Sequence, residues 1–140
     1  MIVAALDVST KRIGIAVCDR SLNAVHPIST LVRTTLDRDL AQLRALLIPR
    51  AVDKVIVGLP INMNGSEGPA AHRMRAFAAH LGAALAIPVE LQDERLTTFE
   101  ARDLMRGLPT TRSRRRNSMD SIAAALILEA WLQANPEQTG

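Results

Sequence analysis

A chain of 140 residues, 48% of them hydrophobic, can build one core but is too short for two large lobes closing on a nucleotide. Aromatic residues make up 2% and Tyr is absent, so the core must be Ala, Leu, Ile and Val, with little aromatic surface for stacking unpaired bases. Seventeen basic residues against fourteen acidic ones give a net charge of +3, and fifteen of the seventeen are Arg, the better side chain for forked contacts with phosphate. This balance permits a nucleic-acid partner without requiring one.

In chain order, Ile2–Val8 reads as a buried strand, and a turn through Ser9-Thr10-Lys11 leads to a second strand, Ile13–Cys18. A third β-prone stretch, Ala24–Val32, follows the polar turn Asp19–Asn23, and three strands on short turns predict an antiparallel meander. Leu36, Leu40, Leu43, Leu46 and Leu47 then recur at helical spacing up to Pro49. Val55–Val57 is a short buried strand ending in Gly58-Leu59-Pro60, and Ile61–Gly68 is a polar loop with an Asn64-Gly65 turn signal.

Pro69 opens a helix that runs to about Leu85, and Ile87–Leu91 forms the next strand. Thr97-Thr98-Phe99-Glu100 has capping-box spacing, predicting a helix that stops near Gly107. An Arg-rich loop leads to the last helix, roughly Ser118–Leu132, with Asn117 or Ser118 as its N-cap. The expected fold is α/β: a five-stranded mixed sheet, three strands antiparallel and then two parallel, with helices on its faces. Residues 1–135 are expected to form one domain and 136–140 a short tail.

The single cysteine, Cys18, cannot close an intramolecular disulfide and lies in an apolar run, as a small buried hydrophobe would. The first seven residues lack a basic n-region and include Asp7, unlike a signal peptide, and Ser121–Leu128 is too short to span a membrane. The expectation is a cytoplasmic protein without membrane contact.

Three acids stand where chemistry would need them. Asp7 lies near the end of the first strand on the same face as Val3 and Ala5, where a carboxylate is costly to bury unless paired, protonated or metal-bound. An Asp just past a strand end can equally be solvated and cap the turn at Thr10. Asp93-Glu94-Arg95 follows a strand, at the end where open α/β sheets place ligands, although such acids also simply solvate loops or complement a helix dipole. Asp120 would sit in the first turn of the last helix, again a common place for a dipole-complementing acid. Their combination suits hard divalent ions such as Mg²⁺ or Mn²⁺. His26, His72 and His80 are scattered, which disfavours zinc. Lys11 and Arg12 follow Asp7, Arg95 follows Glu94, and Arg112, Arg114, Arg115 and Arg116 crowd together before Asp120. A phosphate backbone would relieve that repulsion, though a charge run can also be plain solvated surface.

Several blocks of the chain also carry a family resemblance: Ala5-Leu6-Asp7 with Lys11–Ala16, then Val57–Gly68, Asp93–Thr98 and Met119–Ala124. Together they resemble the YqgF family, also called RuvX, of Holliday junction resolvases and precursor 16S rRNA nucleases, over roughly residues 1–133. The resemblance implies an RNase H-like fold and catalytic, metal-binding acids at Asp7, Glu94 and Asp120. It implies metal-dependent phosphodiester hydrolysis in 5′-end processing of precursor 16S rRNA, or on branched DNA. Lys11, Arg12, Asn62, Arg95, Arg114, Arg115 and Arg116 are the expected substrate contacts, and the chain could act as a monomer or a homodimer. The family usually has Gly two residues after its first Asp, whereas this chain has Ser9. Two alternatives belong to other classes: a nucleotide-binding kinase or ATPase, disfavoured by length, and a non-catalytic nucleic-acid-binding module of the same fold.

Overall fold

The computed structural model describes residues 1–22, 24–94 and 112–136, of which 112–118 by their backbone alone. Its strands are β1 (Ile2–Val8), β2 (Arg12–Asp19), β3 (Ala24–Val32), β4 (Lys54–Leu59) and β5 (Val89–Asp93). The helices among the described residues are α1 (Leu36–Leu47), α2 (Pro69–Leu85) and α3 (Arg112–Ala134). The strands lie in the order β3-β2-β1-β4-β5. Pairing is antiparallel through β1, β2 and β3 and parallel from β1 to β4 and from β4 to β5, as the sequence predicts. Pro27 sits where the β2–β3 register shifts, on an edge strand, the place where a residue without an N–H is tolerated.

Period-two alternation sorts β1 between two cores. Ala4, Leu6 and Val8 face Leu43 and Leu47 of α1 and Met74, Phe77 and Leu81 of α2. Val3 and Ala5 face the opposite way, onto Ala124, Ile127, Leu128 and Trp131 of α3. Helices therefore cover both faces. Small residues dominate the second core (Ala5, Ala16, Ala124), which brings α3 close to the sheet. At the far end of that helix, Trp131 Nε1 donates to Glu90 Oε2 at 2.6 Å, while the Arg20 guanidinium lies 5.3 Å from the centre of the Trp131 ring. Cys18 is fully buried in the same core.

Three expected boundaries move. The fifth strand begins at Val89, two residues later than expected, because α2 ends on Ala86 in the left-handed conformation and Ile87-Pro88 are used to turn the chain. The fourth strand extends to Leu59 and so includes Gly58. Helix α3 starts at Arg112, not near Ser118, so Asp120 lies in its third turn and not in its first. The Arg-rich segment is thus helical rather than a loop, and neither Asn117 nor Ser118 caps it; Arg is a good helix former and no Gly or Pro interrupts 112–134. The helix expected between Thr97 and Gly107 lies outside the described residues. Among the described residues, no helix is long and apolar enough to cross a membrane.

Ala86 holds φ 54° at the C-cap of α2, a conformation that glycine adopts without strain. Ala86→Gly is expected to stabilise the fold by about 1 kcal/mol, read as a higher urea midpoint at unchanged m value.

Candidate active site

The carboxyl ends of β1, β4 and β5 meet at one end of the sheet. Asp7, on β1, shares the α3 side of the sheet with Val3 and Ala5, and its register partner on β2 is Gly14. On the other flank Leu6 pairs with Val57, which sets Asp7 beside Gly58. The residue on each side of this acid is therefore a glycine, and both glycines are required by what presses on the sheet.

A Cβ on Gly14 would collide with the backbone carbonyl of Asp120 and lie 2.8 Å from Ser121 N. The backbone of α3 touches the sheet at that point, which brings Asp120 next to Asp7. A Cβ on Gly58 would strike the Glu94 carboxyl and stand 2.6 Å from Ile127 Cδ1. Gly58 thus leaves the space that the Glu94 side chain fills. Neither glycine was singled out by the sequence reading, although glycine inside a strand is the signal for a close approach.

Asp7 and Glu94 are joined by a side-chain hydrogen bond. Burial pushes both carboxyls above their ordinary range, Glu94 to about 8 and Asp7 to about 6. After burial, the charge of Asp7 acts on Glu94 and the charge of Asp120 acts on Asp7, each raising its neighbour. The hydrogen bond between them means that the two carboxyls hold one proton as a pair, with both raised above the ordinary carboxylate range. Asp120 is turned toward Arg12, whose Nε donates to Asp120 Oδ2 at 2.7 Å. As the side chains stand, no three His, Cys, Asp or Glu among the described residues are already gathered round one ion position.

This electrostatic load predicts a pH dependence. Both acids hold protons more tightly folded than unfolded, so their contribution is most favourable below the ordinary Glu value of 4.5 and is lost as pH rises toward about 8. In EDTA, the melting temperature should fall between pH 5 and pH 8, and Glu94→Gln should flatten that slope. An equally steep slope in Glu94→Gln would remove this pair as its cause.

Ser9 shapes the turn after Asp7. Its hydroxyl donates to the Arg12 carbonyl at 3.1 Å and accepts the Arg12 N–H at 3.1 Å. Among the described residues, Ala51 and Ala86 are the non-glycine residues with positive φ, so Ser9 does not need the freedom of the Gly usual at that position. Lys11 is exposed at the tip of this turn. Asn62 is spent inside its own loop: its Nδ2 donates to Ser66 Oγ at 3.0 Å, its N–H to Ser66 O, and its carbonyl accepts from Gly65. Arg95 lies outside the described residues, as do the side chains of Arg112, Arg114, Arg115 and Arg116, whose backbone forms the first turns of α3. The structure thus brings Asp7, Glu94, Asp120 and Arg12 together, with Lys11 at the margin.

A pocket of about 450 Å³ adjoins this cluster, sharing Glu94 and Ser9 with it. Arg33, a residue that no motif of the sequence marks, lies in its wall. Its Nη1 donates to the Ser9 carbonyl at 2.9 Å and its Nε to Asp39 Oδ2 at 3.2 Å.

A family model described as "RuvX: Holliday junction resolvase" matches residues 1–134. A protein of Anaeromyxobacter dehalogenans named "Putative pre-16S rRNA nuclease" is 43% identical over 127 residues, covering 91% of this chain and 93% of its own length. One of the same name from Thermosynechococcus vestitus is 42% identical over 135 residues, covering 96% and 89% respectively. Among solved structures, Thermus thermophilus RuvC in complex with Holliday junction substrate is similar at a TM-score of 0.62 and 16% identity, covering 99% of this chain and 98% of that one. The Fowlpox virus resolvase with its junction DNA gives 0.60 at 12% identity, covering 98% and 100%. At such identities the likeness concerns the fold, which is the RNase H-like fold of these resolvases. The family match runs through nearly all of the chain, and this protein belongs to the RuvX family.

Proposed function

We propose that this chain is a divalent-metal-dependent nuclease that hydrolyses phosphodiester bonds in 5′-end processing of precursor 16S rRNA, leaving a 5′-phosphate. The observation that carries the reading is the convergence of Asp7, Glu94 and Asp120 at one end of the sheet, two of them buried enough to share a proton. The RNA substrate rests on the names of the relatives.

The donor set fits Mg²⁺ or Mn²⁺: every candidate ligand is a hard carboxylate oxygen, and two like charges forced together are relieved by a cation. Asp7, Glu94 and Asp120 are the residues that would hold it. When bound, the ion supplies charge neutralisation at the phosphate and activation of water for attack. Asp7 and Glu94 would both have to be ionised, with their shared hydrogen bond given up, to hold an ion together. Arg12 positions the Asp120 carboxylate and offsets its charge. Lys11, Arg95, Arg114, Arg115 and Arg116 would hold the nucleic-acid backbone; Asn62 would act chiefly by shaping its loop. Residues 1–135 would serve as one catalytic domain in the cytoplasm, as monomer or homodimer.

Cleavage of branched DNA is the second reading, favoured by the description of the family. Both are tested by incubating the protein with a precursor rRNA 5′ segment and with a four-way DNA junction, in Mg²⁺, Mn²⁺ or EDTA. Metal-dependent cutting of the RNA in preference to the junction is expected. Preference for the junction would select the second reading, and no cleavage of either with both metals would leave a binding module in place of a nuclease.

A further inference from the structure

We propose that the pocket beside Glu94 is a nucleotide subsite that accepts one unpaired nucleotide of the substrate strand next to the bond being cut; this rests on the nuclease reading above. The pocket holds about 450 Å³, within the range of roughly 300–1,000 Å³ typical of small-molecule sites. Its walls divide by chemistry. Val8, Pro60, Met74 and Phe77 supply an apolar interior, as the flat faces of a base require, whereas Arg73 and His80 stand on exposed positions of α2 at its rim. Ser9, Thr10 and Glu94 close the side toward the carboxylate cluster. The pocket opens on the α1/α2 side of the sheet, so a strand at Asp7, on the α3 side, would reach it by passing over the sheet end at Glu94, which belongs to both.

Arg33 makes the pocket suited to a base rather than to phosphate alone. Its guanidinium is fixed by Asp39 and the Ser9 carbonyl and lies 5.5 Å from the centre of the Phe77 ring. Asp39, 1% exposed, takes up its charge. A neutralised, immobile guanidinium offers a planar stacking face, and unstacked bases are commonly held on such planes. The scarcity of aromatics thus does not deprive this chain of a stacking surface. A base in a duplex cannot enter, since it is paired and stacked on both sides. The subsite accordingly selects single-stranded substrate, with Arg73 placed for an adjacent phosphate.

The test uses the full chain in EDTA, so that binding is read without cleavage. Fluorescence anisotropy would compare a short 5′-phosphorylated single-stranded RNA with a blunt duplex of the same sequence. Ala70→Trp fills the mouth from an exposed position on the first turn of α2, and Arg73→Ala removes the rim cation; thermal melting checks that both are folded. Single-strand affinity should fall about ten-fold in Ala70→Trp, the loss expected for one stacked base, while duplex affinity stays within about two-fold. Arg73→Ala should weaken the single strand by several-fold. Equal weakening of both nucleic acids, or no change in either, would overturn the subsite. Its failure is separable from failure of the nuclease reading: a parent protein that cuts RNA while Ala70→Trp binds normally sinks the subsite alone. A parent that cuts nothing yet shows the single-strand discrimination sinks the nuclease reading alone.

Discussion

Asp7→Asn is expected to reduce metal-dependent cleavage by about 1,000-fold or more while leaving the fold intact, because a residue shared between catalytic partners removes their joint effect when lost. Asn keeps the size and the hydrogen-bonding edge of Asp and removes the charge. In this position the charge is unfavourable to the empty protein: burial and Asp120 both oppose it. The same substitution should therefore raise the melting temperature in EDTA at pH 8 by a few degrees; Mg²⁺ is expected to raise that of the parent further and to leave the variant unmoved. Opposite signs for stability and activity distinguish a functional acid from a structural one. A variant that cut RNA as fast as the parent would remove Asp7 from the chemistry, and one that melted lower in EDTA would make it a structural residue.

Gly14→Ala carries the second large effect. The added methyl meets the main chain of Asp120, which cannot rotate away as a side-chain tip could. Helix α3 must move off the sheet, disturbing contacts of Ala124 and Leu128 with Ala5 and Ala16. A loss of about 3 kcal/mol is expected, at the upper end of overpacking penalties, read by urea denaturation. Cleavage should also fall at temperatures where circular dichroism shows the variant fully folded, because Asp120 is displaced relative to Asp7. Full activity in the folded variant would show that the exact seat of α3 does not matter to the site.

Much of the architecture was legible because it is written in local pattern. Alternation in Ile2–Val8 placed Asp7 on the side of Val3 and Ala5, and α3 covers that side. The leucine spacing from Leu36 and the Pro69 start marked α1 and α2. The start of α3 is not legible in the sequence because four arginines look like solvated loop when no partner is in view, although Arg favours helix. Val89 as the start of β5 depended on a left-handed Ala86, a conformation that propensity does not announce.

The sequence by itself determined the mixed sheet, the positions of the three candidate acids and, through blocks that resemble the family's motifs, the family. Those features rest on hydrophobic period and on residue types that are informative one at a time. Tertiary structure alone decided how the acids stand to one another. Gly14 and Gly58 admit α3 and Glu94 to the flanks of Asp7, Arg12 is drawn to Asp120, and Ser9 ties its turn through its hydroxyl. Each of these is a contact between segments far apart in the chain or a side chain's choice among several partners. Such choices are settled by packing and electrostatics in three dimensions, where a missing methyl group decides whether a carboxylate can reach its neighbour.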